Sequence, residues 1–239
     1  MSKRLRTLGI VLMVFGLGLV TAAGIAFLKV QDGYESLQAF SEVQNVQLAY
    51  NEDGQLVDRG TTEGAQAILG LLQDDWKFPV VQSDLDPNDP LVNTATEYMY
   101  QMATVAYHTL HGTVTVTLAE DVEFNGEVFA AGTHEVPIDG RYWTDFNRAH
   151  PLDAQARGLA WTGTAHALIA ELGVGTLTHS SLQIGLALAG AFAAMGLMGL
   201  LAGGGMVWVS RGGLIEVPSD RKIRKELTAE ITDPELVEV

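Results

Sequence analysis

The sequence predicts an α+β fold in which two transmembrane helices flank an extracytoplasmic domain of long helices and a small antiparallel β meander. Three observations predict it: two long uncharged runs, two helix-start signals followed by apolar residues at helical spacing, and an Asn-Gly pair between alternating segments. The 239 residues are 47% hydrophobic, lack cysteine and carry 14 Lys+Arg against 29 Asp+Glu. That composition excludes a disordered chain, a disulfide scaffold and a Cys-ligated metal. A net charge of −15 argues against nucleic acid as a partner, because phosphate binding needs clustered cations.

Leu8 to Leu28 contains no charged residue, and about 20 apolar helical residues suffice to cross a hydrocarbon core. Leu182 to Val209 is a longer uncharged run with Trp208 near its end, where an interfacial aromatic anchor belongs. A cleaved signal peptide competes for the first run, since Lys3, Arg4 and Arg6 form a basic start and Thr21-Ala22-Ala23 offers small residues. The run exceeds an ordinary signal core in length, which favours a retained anchor.

Cations set the orientation. Lys3, Arg4 and Arg6 precede the first run, and Arg211, Arg221, Lys222, Arg224 and Lys225 follow the second. Residues 29–181 hold six Lys+Arg against 22 Asp+Glu, a net −16. Basic flanks stay cytoplasmic. The expected organisation is therefore a cytoplasmic N-terminus (1–7), a first transmembrane helix (8–28), an extracytoplasmic domain (29–181), a second transmembrane helix (182–209) and a cytoplasmic tail (210–239). Within the tail Ser219 would cap a short helix whose cations attract anionic lipid.

Small residues mark both runs. Gly185, Ala189 and Ala193 recur at four-residue spacing, and Gly199 and Gly203 repeat it. Such a stripe lets helix backbones approach closely. It is expected to dock on the first run, marked by Gly16, Gly18, Ala22 and Gly24, or on a foreign subunit.

In the domain, Asp89-Pro90 predicts a helix start, with Leu91, Ala95, Tyr98, Met102, Val105, Ala106 and Leu110 on one face before Gly112. His150-Pro151 opens a comparable stretch, expected to end at Gly173. Offset by 61 residues, the two share Pro90/Pro151, Leu91/Leu152, Ala95/Ala156, Ala106/Ala167 and Gly112/Gly173, the pattern an internal duplication would leave. Between them Thr113 to Leu118 alternates, and Asn125-Gly126 separates Val122-Glu123-Phe124 from Glu127-Val128-Phe129, a strong hairpin signal. Thr133 to Ile138 completes the expected meander, closed by Asp139-Gly140. Upstream, Val46 to Tyr50 and Gln55 to Val57 flank a turn at Asn51 to Gly54, and Thr61 or Thr62 caps a helix to about Gln73.

This order of hairpin, short helix, acidic x-Pro-Leu helix start, Ala-rich helix and final span resembles a family of small actinobacterial two-span membrane proteins labelled aromatic ring-opening dioxygenase. The resemblance touches Asn45 to Leu110 and, more clearly, Tyr142-Trp143-Thr144-Asp145-Phe146 through Pro151-Leu152 to the second run. The insertion at 113–140 departs from it. The resemblance implies topology and bacterial origin, and no metal-site motif in the sequence accompanies the label.

All six histidines, His108, His111, His134, His150, His166 and His179, lie outside the uncharged runs. His108 and His111 are three apart near a helix end, so they share a face. With His134 and a carboxylate such as Glu135 or Asp145 they would form a copper or zinc site. The competing expectation is surface or capping histidines, with His111 beside Gly112 suiting the helix dipole. The serines lack an elbow signature, no glycine loop has the lysine a phosphate needs, and Pro87 and Pro90 interrupt Asp84, Asp86 and Asp89 as a calcium loop. Glu97 and Glu171 are expected to be solvated. His166, Thr176, Thr178 and His179, with Trp143 and Trp161, form an expected belt against the membrane or another protein.

The sequence thus points to a non-catalytic accessory or scaffold subunit of a larger bacterial membrane complex, an oxidoreductase among the candidates. Its expected partners are integral membrane protein subunits and the lipid bilayer, with no cofactor. The alternative is an extracytoplasmic protein handling copper or zinc.

Overall fold

The computed structural model describes residues 2–211. Ser219 and the tail cations Arg221, Lys222, Arg224 and Lys225 lie outside the described residues. The helices are α1 (Ser2–Gln44), α2 (Thr62–Gly70), α3 (Ala95–Leu110), α4 (Pro151–Ala160) and α5 (Gly163–Ser210), and the strands are β1 (Thr113–Leu118), β2 (Val122–Phe124), β3 (Glu127–Phe129) and β4 (Gly132–Pro137). The fold is α+β, with two long apolar helices and small antiparallel pairings. The described residues divide into two compact units, one of 2–27 with 187–211, the other Leu28–Leu186.

In the first unit, α1 and α5 carry 18-residue windows of mean hydropathy 2.4 and 2.1, and only 11% of each window is buried by protein. What is buried is small: Gly9, Gly16 and Ala23 on α1, and Gly203, Gly196 and Ala189 on α5. A Cβ at Gly16 would stand 2.6 Å from the Gly196 carbonyl oxygen, and one at Gly9 2.6 Å from that of Gly203. Both backbones therefore meet where no side chain intervenes. The pairing of low numbers with high makes the helices antiparallel. The buried positions recur every seven residues, the spacing that keeps one seam facing a partner along a helix. The small-residue stripe thus follows a seven-residue period, and the four-residue series leaves it at Ala193. Gly185, Ala189, Gly199 and Gly203 face α1, a Cβ at Gly185 standing 2.8 Å from the Val30 side chain, whereas Ala193 is only half-buried. On α1 it is Gly9, Gly16 and Ala23 that turn inward, while Gly18, Ala22 and Gly24 face out.

The second unit has a conventional core, with Ile68, Leu72, Val116, Ile138, Ala103 and Ala156 fully enclosed. At about 1.5–3 kcal/mol for each large side chain, these positions dominate its stability. Thr61 caps α2 by accepting from the Gly64 N–H, and a single π-helical turn, Leu71–Asp75, extends it.

Helix α3 starts later than Asp89-Pro90 predicts. Thr94 and Glu97 form a capping box that satisfies two end N–H groups reciprocally. Upstream, the Leu48 N–H donates to the Pro90 carbonyl and the Val92 N–H to that of Val46. Residues 90–92 therefore pair as an extended edge, and Leu91 lies opposite Gln47.

The second predicted helix is two. Pro151 opens α4 as expected, with His150 Nδ1 accepting from the N–H groups of Leu152 and Asp153. It stops at Ala160 because Trp161 folds into the core and Thr162 begins a new helix by accepting from the Ala165 N–H. Gly173 lies inside α5, where its missing side chain admits Met102, and Gly175 makes room for the Tyr98 ring. The 61-residue likeness therefore joins segments of different structure: Leu91 is extended and Leu152 helical, Gly112 ends a helix and Gly173 does not.

The strands form nested hairpins instead of a meander. β1 pairs with β4 and β2 with β3. Asn125 and Gly126 both have positive φ, 55° and 84°, the two-residue turn that suits strand twist. The break between the two ladders is bridged by Asp121, whose carboxylate accepts from the Ala131 N–H at 2.7 Å. Alternation places Val116, Leu118 and Val136 inward and Thr115 outward, where it donates to Glu135.

Candidate functional site

The histidines do not converge. His108 Nε2 lies 3.0 Å from Asp58 Oδ1. His111 Nδ1 donates to the Tyr107 carbonyl of its own helix, and His134 Nε2 to that of Ala130. Each of the three rings is held by a different segment, and no group of three or more His, Cys, Asp or Glu fit to hold a metal occurs among the described residues. His150 is a helix cap packed edge-on to Phe124 and Phe129.

The expected membrane-facing belt also separates. His179 and Thr176 are buried, Thr178 is exposed, and His179 stands edge-on to Tyr34 at 5.7 Å. Burial holds the His179 ring below the ordinary imidazole range, against an opposing pull from Asp84. Glu171 is exposed, but Glu97, expected in solvent, is 1% exposed. Its carboxylate accepts from the N–H groups of Asn93 and Thr94 at 3.0 and 2.8 Å. Burial nevertheless raises its pKa, these bonds opposing. The same face of α3 carries Tyr100, whose hydroxyl is buried without a partner among the described residues and pushed upward in pKa by burial. Across from it the Tyr50 hydroxyl, likewise unpartnered, is pushed up to about 12 by burial and by the charge of Glu97.

Several chemically distinctive side chains meet at an open groove of about 370 Å³ in the second unit, lined by Trp76, Tyr142, Trp143, Trp161, His166 and Met102 among others. Arg141 builds it. Its guanidinium donates to the Pro137 and Ile138 carbonyls and to Asp153, and lies 4.5 Å from the Phe146 ring centre. That fixes the segment bearing Tyr142 and Trp143. The Arg141 carbonyl accepts the Trp161 indole N–H at 3.0 Å, and the Tyr142 hydroxyl accepts that of Trp76 at 3.0 Å. Tyr142 and Trp161 are stacked at 5.7 Å and 22°, and Trp143 meets His166 edge-on at 5.0 Å. Arg157 lies over Trp143 at 3.7 Å.

Trp143, Trp161 and His166 are thus brought together, but around a groove and not as a flat belt. His166 is 16 residues before Leu182 on α5, roughly 24 Å along a helix axis. Trp76, the π-helical turn that aims it and Met102 were not singled out for this role from sequence. Trp76 is 66 residues from its partner Tyr142, a separation no local pattern reveals.

No protein-family model matches the chain, and neither does any curated protein or solved structure.

Proposed function

We propose that this is a two-pass membrane protein with both termini cytoplasmic and residues 29–181 outside, acting as a non-catalytic accessory or scaffold subunit of a larger bacterial membrane complex. The observation that carries it is the surface of the paired helices: a seam closed by glycine and alanine, with large apolar side chains such as Phe15, Leu28, Leu197 and Leu201 turned outward. Water would penalise that surface, whereas lipid and the helices of integral membrane partners would accept it. The cation flanks and the −16 of residues 29–181 supply the orientation. The scaffold assignment rests on side chains whose polar groups are spent on structure: Glu97 caps α3, His150 caps α4, and His108 pairs with Asp58.

The chain has no cysteine of its own, so single-cysteine variants test the topology cleanly. Ser83→Cys should label with an impermeant maleimide in intact cells and Ser219→Cys only after lysis. Labelling of Ser219→Cys alone in intact cells would contradict the proposed orientation. Mild-detergent purification followed by mass spectrometry should recover integral membrane subunits in fixed ratio. Recovery of the chain alone would contradict the scaffold role.

A further inference from the structure

We propose that a cavity between α1 and α5, in the second unit, docks an aliphatic side chain of another protein, carried on a segment rich in lysine and arginine. The proposal rests on the scaffold reading and names the chemistry of its partner. Phe40 and Gln44 of α1 and Leu168 and Leu172 of α5 wall a space of about 80 Å³, with Val46 and Val92 completing the apolar lining. On each helix these residues are four apart and so share a face. Phe40, Val46 and Leu168 are nonetheless exposed, and Val43, three residues after Phe40, is 84% exposed. Large apolar side chains thus stand in water around a partly enclosed apolar hollow, the setting of an anchor pocket. Its volume is roughly half that of a ~150 Å³ cavity that takes benzene, which suits one branched aliphatic group and excludes an indole. The buried Ser41 and Tyr98 hydroxyls, also in the wall, lie 2.8 Å apart. Whichever of them donates, the other's proton has no acceptor among the described residues. A backbone carbonyl beside the anchor would supply one.

Charge selects what flanks the anchor. Glu171 lines the cavity, Glu42 follows Ser41, and both are exposed. No Lys or Arg lies within ten residues of any wall residue in the sequence; the nearest are Lys29, Arg59, Lys77 and Arg157. Lys29 is already paired with Asp32, and Arg157 is held over Trp143. The elements around the cavity are thus acidic without compensating cations, which draws a basic segment and repels an acidic one. A second copy would bring the same acids, within a net −16 over residues 29–181. Arg221-Lys222-Ile223-Arg224-Lys225 in this chain's own tail has the required composition, but in the proposed topology it lies across the membrane. The occupant is therefore another protein.

The test uses the full chain in an uncharged detergent and a dye-labelled synthetic peptide, Lys-Lys-Gly-Leu-Gly-Lys-Lys, followed by fluorescence anisotropy at constant ionic strength. The peptide should bind saturably. Glycine in place of its leucine should weaken binding about tenfold or more, as the loss of one buried aliphatic side chain requires. Glutamate in place of its lysines should weaken it at least as much. In the protein, Leu168→Trp, at an exposed wall position, should fill the hollow and remove the preference for leucine. Glu171→Lys should weaken binding of the lysine peptide several-fold. Equal affinity for the leucine and glycine peptides would mean attraction to an acidic surface alone and overturn the proposal, as would the absence of saturable binding at millimolar concentration. A leucine preference that survives Leu168→Trp would place the anchor elsewhere and overturn it too. A dimer in the same detergent that Leu168→Trp dissolves would seat a second copy or its tail in the cavity, against the assignment to another protein. The peptide measurement does not depend on which subunits co-purify, so the docking site and the scaffold role fail separately.

Discussion

The two units bury opposite kinds of side chain. In the second, Ile68, Leu72, Val116 and Ile138 are enclosed and threonines of β1 face out. In the first, Gly9, Gly16, Gly196 and Gly203 are enclosed, while Phe15, Leu17, Leu197 and Leu201 face out. Water rewards the first arrangement because apolar area is removed from it. It gives no reason for the second, in which the closest contacts remove almost no apolar side chain. A lipid surrounding does, since there the gain is dispersion between closely approaching backbones. One chain thus follows two packing rules, and the change falls near Phe27 and Ala187.

The sharpest way to break the contrast is to truncate a leucine in each unit. Leu72→Ala should cost about 2–5 kcal/mol of stability, the range for a cavity in a packed core. Leu197→Ala, on the outward face of α5, should cost under about 0.5 kcal/mol. Thermal unfolding of the full chain in detergent, followed by near-ultraviolet circular dichroism, measures both. Equal costs would mean that Leu197 is packed against protein.

Enlarging a seam residue reverses the order. Gly196→Leu forces a side chain onto the Gly16 carbonyl and should cost about 1–3 kcal/mol or more, while Gly190→Leu, where a Cβ meets nothing within 4 Å, should be near neutral. Partition between helix-paired and separated forms on a denaturing-detergent gradient reads the difference. Within the second unit, Thr94→Ala removes half of a capping box and should cost about 1 kcal/mol.

The smallest effect concerns pH. Burial raises the Glu97 pKa above its ordinary 4.5, so the unfolded chain loses this proton first as pH rises. The native state then binds more protons, and stability falls with rising pH from about 4.5 up to the folded value. Glu97→Gln keeps an oxygen for the Asn93 and Thr94 N–H groups and should flatten that slope. An unchanged slope in melting temperature against pH would assign it to another group.

Local signals were legible wherever chain neighbours satisfy one another. Asn125-Gly126, the Thr61 cap, Pro151 at a helix start and the two apolar runs all belong to that class. Asp89-Pro90 misled because Thr94 and Glu97 offer a stronger cap five residues beyond Asp89, while residues 90–92 find backbone partners near Val46. The β1–β4 pairing, the break at Trp161 and the burial of Glu97 depend on contacts distant in sequence, which periodicity does not encode. The seam was half legible: glycine abundance was visible, but its seven-residue period emerges only when both helices are aligned. The groove was least legible, because Trp76, Tyr142 and Trp161 come from three separate segments.

The central claim is that the outward apolar face of the first unit lies in lipid. Nitroxide labels at Val14→Cys and Leu197→Cys in the reconstituted protein test it directly through their relaxation by oxygen, which dissolves in lipid, and by a water-soluble nickel chelate. The account predicts strong relaxation by oxygen and little by the chelate at both sites, with a label at Ser83→Cys showing the reverse. Strong relaxation by the chelate at Val14 and Leu197 would place those side chains in water and contradict the account.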